Sequence, residues 1–274
     1  MGVPRSASGG VSTCRVGILP RNHDHARKNH EAMRQGLRRH GIPLVSPDAC
    51  DTLIAWGVHQ QAQIQACIAR GGHYLVMEAG HVGDRLRYTS CGWDGLAGRG
   101  RYPEAPDGDR WGRLFGGLMR PWRTSGSYAL LIGQVPSDAA VADLPSFQAW
   151  ANKTARDLRG YEVVYRPHPL SVGAFCPQGA RIAKPAPLHA DLVDAAFVVA
   201  YSSTASVESV LFGVPTVTLS RGAMAWPVTS HVVGDLLTPD RTAWAHRLAY
   251  AQWSLDELAS GEAWAFLRET LSNQ

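Results

Sequence analysis

"YEVVYRPHPL" (161–170) and "YSSTASVESVLFGVP" (201–215) are the stretches on which the fold turns. The first is a run of strand-forming side chains that stops at a histidine held between two prolines. The second leaves an apolar run through three hydroxyls, Ser202, Ser203 and Thr204, and passes straight into a helical pattern. Apolar runs this short, bounded by turn residues, read as strands buried in a parallel sheet. Pro167 and Pro169 lock φ on either side of His168, so the imidazole is fixed where the strand ends.

Working outward, the alternation continues. "YALLIGQV" (128–135), "AAFVVAYSS" (195–203) and "VPTVTL" (214–219) read as strands, with helices over 144–159 and 203–212. Upstream, "CRVGILP" (14–20), "DTLIAWG" (51–57) and "HYLVMEAG" (73–80) alternate with amphipathic helices over 25–41 and 59–71, each closed by glycine. Downstream, helices are expected over 240–252 and 255–271, the second opened by Ser254 and Glu257 at capping-box spacing. The expected class is α/β: two Rossmann-like domains with parallel sheets facing across a cleft, and ligands at the carboxyl ends of the strands. The expected division is a disordered start over 1–13, an N-terminal acceptor domain over 14–125 with a basic aromatic loop over 81–123, a C-terminal donor domain over 126–245, and helices over 246–274 packing back on the first domain.

At 274 residues and 45% hydrophobic side chains, the chain can bury two cores. No apolar run approaches the roughly 20 residues of a membrane helix, and the opening "MGVPRSASGGVSTC" lacks the apolar centre of a secretory signal, so a cytoplasmic protein without membrane contact is expected. Five scattered cysteines with no C-x-x-C pair read as reduced packing thiols.

Charge is unevenly divided. Residues 1–125 hold 17 Lys+Arg against 10 Asp+Glu, a net +7, whereas residues 126–274 hold 10 against 13, a net −3. Only Lys28 among the first 17 is lysine, and arginine is the cation whose planar fork suits phosphate and stacks on aromatic faces. Between residues 85 and 123, eight arginines interleave with Tyr88, Trp93, Tyr102, Trp111 and Trp122. An enzyme that works on a base within duplex DNA must extrude it, which calls for stacking side chains and phosphate clamps. Arg85, Arg87, Trp93, Arg99 and Arg101 are the expected contacts to double-stranded DNA; a loop folded over the domain with its tryptophans buried is the competing reading.

His168 and the Ser202–Thr204 cluster converge at neighbouring strand ends. The hydroxyls, the start of the helix and Arg166 together suit an anionic phosphate without any lysine. Helix capping and plain strand termination are the alternatives. Asp107-Gly108-Asp109 spells the D-x-D of metal-dependent sugar transferases but lies in a turn-like segment, and His23, His25 and His30 are poorly spaced for one helix face, so no metal is expected.

"RPHP" and "SSTASVESVLFGVPTV" resemble the His-Pro and Ser-Ser/Thr elements of GT-B glycosyltransferases, particularly sialyltransferase-like and capsule Kdo-transferase-like enzymes. The resemblance implies that the histidine and hydroxyls hold the phosphate of a nucleotide sugar and that Glu208 contacts its ribose. "GHVGDRLRYTSCGWDGLAGRGRYP" (80–103), "LLIGQVPSD" (130–138), "GAMAWPVTSH" (222–231) and "QWSLDELASGEAW" (252–264) are also similar to a phage-encoded family associated with glycosylation of modified DNA bases. That likeness implies a host-cytoplasmic enzyme moving sugar from a nucleotide sugar, UDP-glucose or another UDP-hexose, to 5-hydroxymethylcytosine.

The chemistry implied needs a stabilised leaving phosphate and a base for the acceptor hydroxyl. Arg166, His168, Ser202, Ser203 and Thr204 meet the first need, with backbone N–H groups at Gly133 and Gln134. Glu78, ending "HYLVMEAG" beside Gly80, is the first choice of base; pairing with Arg85 or Arg87 is its alternative role. Asp24, after the first strand, is the second choice. No metal or cofactor beyond the nucleotide sugar is expected. A capsule-type transferase, a nucleotide-sugar epimerase and a non-catalytic DNA-binding protein are the rival functions.

Overall fold

The computed structural model describes residues 14–171 and 175–272; the expected disordered start lies outside them. β1 (Val16–Ile18), α1 (Asp24–Arg39), β2 (Thr52–Trp56), α2 (Gln61–Ala69) and β3 (His73–Ala79) open the chain, and the three strands pair in parallel. β4 (Tyr88–Trp93) and α3 (Asp109–Phe115) follow. A second unit then runs through β5 (Tyr128–Ile132), α4 (Phe147–Asp157), β6 (Val163–Arg166), β7 (Ala180–Ile182), α5 (Leu188–Leu192), β8 (Ala195–Ala200), α6 (Ala205–Leu211) and β9 (Thr216–Thr218). Its sheet has the order β7-β6-β5-β8-β9 with every pair parallel. The chain ends in α7 (Thr242–Tyr250), β10 (Gln252–Ser254), α8 (Leu255–Ser260), α9 (Glu262–Leu267) and α10 (Glu269–Ser272).

The second sheet follows directly from its sequence. β5 and β8 are flanked on both sides, so their side chains are buried on both faces and read as unbroken apolar runs. Gly133 is required where β5 leaves the sheet: a Cβ there would lie 2.6 Å from the Tyr165 hydroxyl and 2.9 Å from the Arg166 carbonyl oxygen.

The first sheet corrects two expectations. Its order is β1-β2-β3-β4-β10, and β4 and β10 run antiparallel to their neighbours. The stretch 81–123 is therefore no open loop, since it contributes β4 and α3. "YTSCGW" hides its strand character because all six residues are buried, which removes the period-two alternation that a half-buried strand displays. β10 fills the gap between the two expected tail helices and takes Gln252 from the end of the first, because a three-residue pairing with β4 covers an otherwise open sheet edge. The tail helix is also broken at Gly261, whose φ of +89° ends α8.

The returning tail packs against the first unit. Ala26, Met33 and Leu37 of α1 join Trp253, Leu258 and Trp264 in one core with β1–β4. α1 and α8 cross at Gly36, where any Cβ would collide with the Leu258 carbonyl oxygen. The two crossings between units run side by side: Trp122 Nε1 donates to the Pro239 carbonyl at 2.9 Å, and Arg241 covers the Trp122 ring at 3.9 Å while donating to the carbonyls of Arg120 and Val210.

α3 is fastened by Arg110, whose side chain is 3% exposed. Its guanidinium forks onto both Glu257 oxygens, donates to the carbonyls of Ala249 (2.7 Å) and Gln252 (3.0 Å), and stacks 4.3 Å from the Trp253 ring centroid. Glu257 also closes the capping box of α8, accepting from Ser254 N–H at 2.8 Å. Removing one partner of a buried pair strands the other charge, so Arg110→Ala is expected to cost about 3–5 kcal/mol in urea unfolding. Glu257→Gln, which keeps a hydrogen-bonding group in the box, is expected to cost less; equal stability of Arg110→Ala and the parent protein would contradict the assignment.

Candidate active site between the two sheets

The two units meet through Arg99, which pairs with Asp143 at 2.8 Å, and through Val82 and Tyr88, which share a core with Val207, Val210 and Leu211 of α6; charges near the carboxyl ends of both sheets act on one another there. Glu78, near the end of β3, feels Asp138 from the segment after β5, and also Arg85 and Arg21. His168, just past β6, feels the same Asp138 and Arg85. Glu208 on α6 feels Arg85 and Arg166. Glu78, His168 and Glu208 are thus within electrostatic reach of one arginine, Arg85, and Glu78 and His168 also of one carboxylate, Asp138.

His168 is half-buried, and its Nδ1 accepts from Leu170 N–H at 3.1 Å. That bond leaves the ring proton of the neutral imidazole on Nε2, which becomes a fixed donor. Burial lowers the His168 pKa below its ordinary value, Asp138 opposing and Arg85 reinforcing the shift, so the neutral donor form prevails at pH 7. Burial raises the Glu78 carboxyl above the usual glutamate value, Asp138 adds to the rise, and Arg85 and Arg21 oppose it. A carboxylate with a raised pKa in a cleft is suited to accept a proton. Burial likewise raises Glu208 although it remains solvent-accessible, as befits a group lining a concavity.

Several expected donors have other employment. Gly133 N–H is bonded to the Arg166 carbonyl at 2.7 Å and has nothing to offer a phosphate. The Gln134 side chain and Ser202 satisfy each other: the amide donates to Ser202 Oγ at 3.1 Å, Ser202 N–H donates to the amide oxygen at 2.9 Å, and Ser202 Oγ donates to the Ala140 carbonyl at 2.8 Å, bonds that leave aside the Gln134 backbone N–H, the group expected to donate. They brace the wall of the cleft. Arg166 is ion-paired with Asp191 and donates to the Ala186 carbonyl at 2.7 Å, so it is turned toward α5. Ser203 Oγ accepts from Ala205 N–H at 3.2 Å, and Thr204 caps α6 without a side-chain bond to the helix. Ser203 and Thr204 are the hydroxyls left to face a ligand beside His168.

Asp24 is displaced from its expected role. It occupies the first turn of α1 with its side chain 78% exposed and paired with Arg27. The DNA contacts fare similarly. Trp93 is fully buried, its Nε1 bonded to the Leu267 carbonyl at 3.0 Å, and cannot stack on a base. Arg99 bridges to Asp143 of the second unit at 2.8 Å, Arg101 pairs with Asp94, and Arg87 lies over the Tyr88 ring. Asp107 holds its own turn, accepting from Asp109 N–H at 3.0 Å and from the Tyr250 hydroxyl at 3.1 Å. His23, His25 and His30 are edge-on to Trp56. Among the described residues no group of three or more His, Cys, Asp and Glu is placed to hold a metal ion, and no helix is long and apolar enough to cross a membrane.

Asp138 and Arg21 are the residues sequence reading passed over. The rule that singled out Glu78 applies equally to Asp138, which closes "LLIGQVPSD" after β5.

No protein-family model matches the chain, and no curated protein matches it. Solved structures do. A domain described as Thermosulfurimonas dismutans KpsC, beta Kdo 2,7 transferase, superposes with a TM-score of 0.57 at 16% identity, covering 92% of this chain and 99% of that one. The beta Kdo 2,4 transferase of the same organism's KpsC gives 0.58 at 15% identity, covering 86% and 90%. At such identity the shared property is the fold: two α/β units facing across a cleft, the GT-B arrangement.

The raised Glu78 pKa has a consequence for stability. A carboxyl whose pKa is higher in the folded than in the unfolded chain favours folding fully when protonated, below the unfolded value, and loses that contribution as pH rises through the folded value. Glu78→Gln is therefore expected to raise the melting temperature at pH 7.5, with the gain shrinking toward pH 4. An unchanged or lowered melting temperature across that range would mean that Glu78 carries no buried-charge penalty.

Proposed function

We propose that the protein is a glycosyltransferase that moves a sugar from a nucleotide sugar to an acceptor hydroxyl without a metal ion. What supports this reading is that Glu78 from one unit and His168 from the other answer to the same two neighbours, Asp138 and Arg85, in a GT-B fold, with the Glu78 pKa raised and the His168 Nδ1 bonded to Leu170 N–H so that Nε2 is left to donate. Glu78 takes the acceptor's proton, the acceptor oxygen bonds to the anomeric carbon, and the bond from that carbon to the phosphate oxygen breaks with its electron pair leaving on the phosphate. His168 Nε2–H, Ser203 and Thr204 stabilise that departing charge, in the place where a divalent cation would otherwise serve. Glu208 is suited to a ribose hydroxyl.

The acceptor is narrower to argue. The DNA reading rested on arginines and tryptophans that the fold uses internally, Trp93, Arg99 and Arg101 above all. The proposal therefore stops at a hydroxyl-bearing acceptor, and a test must offer several. Incubation with UDP-, ADP-, GDP- and CMP-sugars together with hydroxymethylated duplex DNA or acidic capsule oligosaccharides, followed by mass analysis of the acceptor, tests the reading. His168→Ala is expected to lower kcat on the order of a hundredfold, the usual cost of losing one charge-stabilising donor. Glu78→Gln is expected to keep nucleotide binding while nearly abolishing transfer. Conversion of free donor without any acceptor, or transfer at the parent rate by both variants, would overturn the proposal.

A further inference from the structure

Arg85 stands on a short turn that is held from both ends. Gly80 N–H donates to the Arg85 carbonyl at 3.0 Å, and Arg85 Nε donates back to the Gly80 carbonyl at 2.7 Å. Within the turn, Gly83 takes a φ of +72°, and Asp84 accepts from Leu86 N–H through Oδ1 at 3.0 Å and from Arg87 N–H through its carbonyl at 3.0 Å. Its foot is fastened to β10: Gln252 Oε1 accepts from His81 N–H (2.7 Å) and Val82 N–H (3.0 Å), and Gln252 Nε2 donates to the Val82 carbonyl at 2.9 Å. Few side chains as long as arginine are so firmly rooted at an exposed position.

What the turn holds out is unclaimed. The Nε of Arg85 is bonded, but its two terminal nitrogens have neither hydrogen bond nor ion pair to protein among the described residues. The turn is seated against the second unit: Val82 at its foot shares a core with Val207, Val210 and Leu211 of α6, the helix that carries Glu208, and the Arg85 charge is within electrostatic reach of Glu78 and His81 on its own side and of His168 and Glu208 on the other. The second unit's nearby arginine is committed elsewhere, since Arg166 is tied to Asp191 and Ala186. A phosphate beside His168 would meet neutral donors from its own unit and needs a cation from across the cleft.

We infer that Arg85 is the cation of the donor site: from the opposite unit, its two terminal N–H groups clasp the nucleotide's phosphate against His168. The inference rests on the donor-site reading given above and names a residue and a ligand chemistry for it. An anion held between His168 and Arg85 ties the two units together across the cleft, so the turn carrying Arg85 links nucleotide occupancy to the positioning of Glu78, which lies on the same unit. The guanidinium fork matches two phosphate oxygens at once, which lysine cannot do.

Calorimetric titration of the full chain tests this. The parent protein is titrated with UDP, ADP, GDP and CMP, and the best-bound nucleotide and its phosphate-free nucleoside are then carried to Arg85→Ala, Arg85→Lys, His168→Ala and a charge-matched control, Arg38→Ala, on the outer face of α1. Losing a charge-assisted bond to phosphate is expected to weaken the nucleotide on the order of 10- to 100-fold in Arg85→Ala, leave the nucleoside unchanged, and be only partly repaired in Arg85→Lys. Arg38→Ala should bind as the parent does. If His168→Ala loses nucleotide and Arg85→Ala does not, the donor site stands and the role of Arg85 is refuted. Equal weakening in Arg85→Ala and Arg38→Ala would reduce it to net charge and also refute it. If the parent binds none of the nucleotides, both this inference and the reading beneath it fall. Arg85→Gln is read in place of Arg85→Ala should the latter lose its melting transition.

Discussion

A buried guanidinium governs how the first unit is assembled. Arg110 lies under α3 with four hydrogen bonds and an aromatic face about it, and every partner comes from the last part of the chain: Ala249, Gln252, Trp253 and Glu257. Burying an arginine is costly unless each donor is met and the charge is matched, so the contact forms only when the tail has come back to its place. Once it has, β10 can complete the sheet, Gln252 can hold the foot of the turn that carries Arg85, and α8 can lie across Gly36 of α1. The cleft residues of the first unit are thus positioned by residues 139 to 171 positions later in the chain.

The cleft itself is a balance of opposed charges. Burial raises the Glu78 pKa, and the charge of Asp138 from the other unit adds to the rise. Arg85 and Arg21 limit the rise by favouring the ionised form. His168 answers to the same two neighbours with opposite sign, Asp138 favouring and Arg85 disfavouring its protonation. Two groups tuned apart by a shared environment is the pattern by which one site holds a base and a neutral hydrogen-bond donor at the same pH.

The arginine-rich first half shows how composition misleads. Interleaved arginine and tryptophan is a sound signature of nucleic-acid contact, but it is equally the composition of a segment that solders elements together. Arg110, Arg99 and Arg101 spend their forks on carboxylates and carbonyls, and Trp93 and Trp111 fill cores. A guanidinium can be satisfied as fully by Glu257 and two carbonyls as by a phosphate, and no local pattern distinguishes the two cases. Arg85 differs from Arg99, Arg101 and Arg110 because its terminal nitrogens have no carboxylate or carbonyl partner among the described residues, a fact of placement alone.

The sequence by itself determined four strands of the second unit, β5, β6, β8 and β9. Their side chains are almost all buried, so their apolar runs are continuous, and His168 and Ser203 fall just past strand ends because prolines and hydroxyls stop the runs there, whereas the edge strand β7, with two of its three residues exposed, and the short α5 leave no such run. The same rule made Glu78 legible at the end of β3 and would have served for Asp138. Only the tertiary structure decided that β4 and β10 are strands, since "YTSCGW" has no alternation and "QWS" is three residues at the junction of two helical patterns drawn into an open sheet edge. Only it decided which donors remain for a ligand. Gly133, Ser202 and Arg166 stand at the expected strand ends, yet their hydrogen bonds close on Arg166, the Gln134 side chain and Asp191 respectively. Position along a strand is a local property that residue type reveals, whereas the partner of a polar group depends on what the rest of the chain brings within about 3 Å of it.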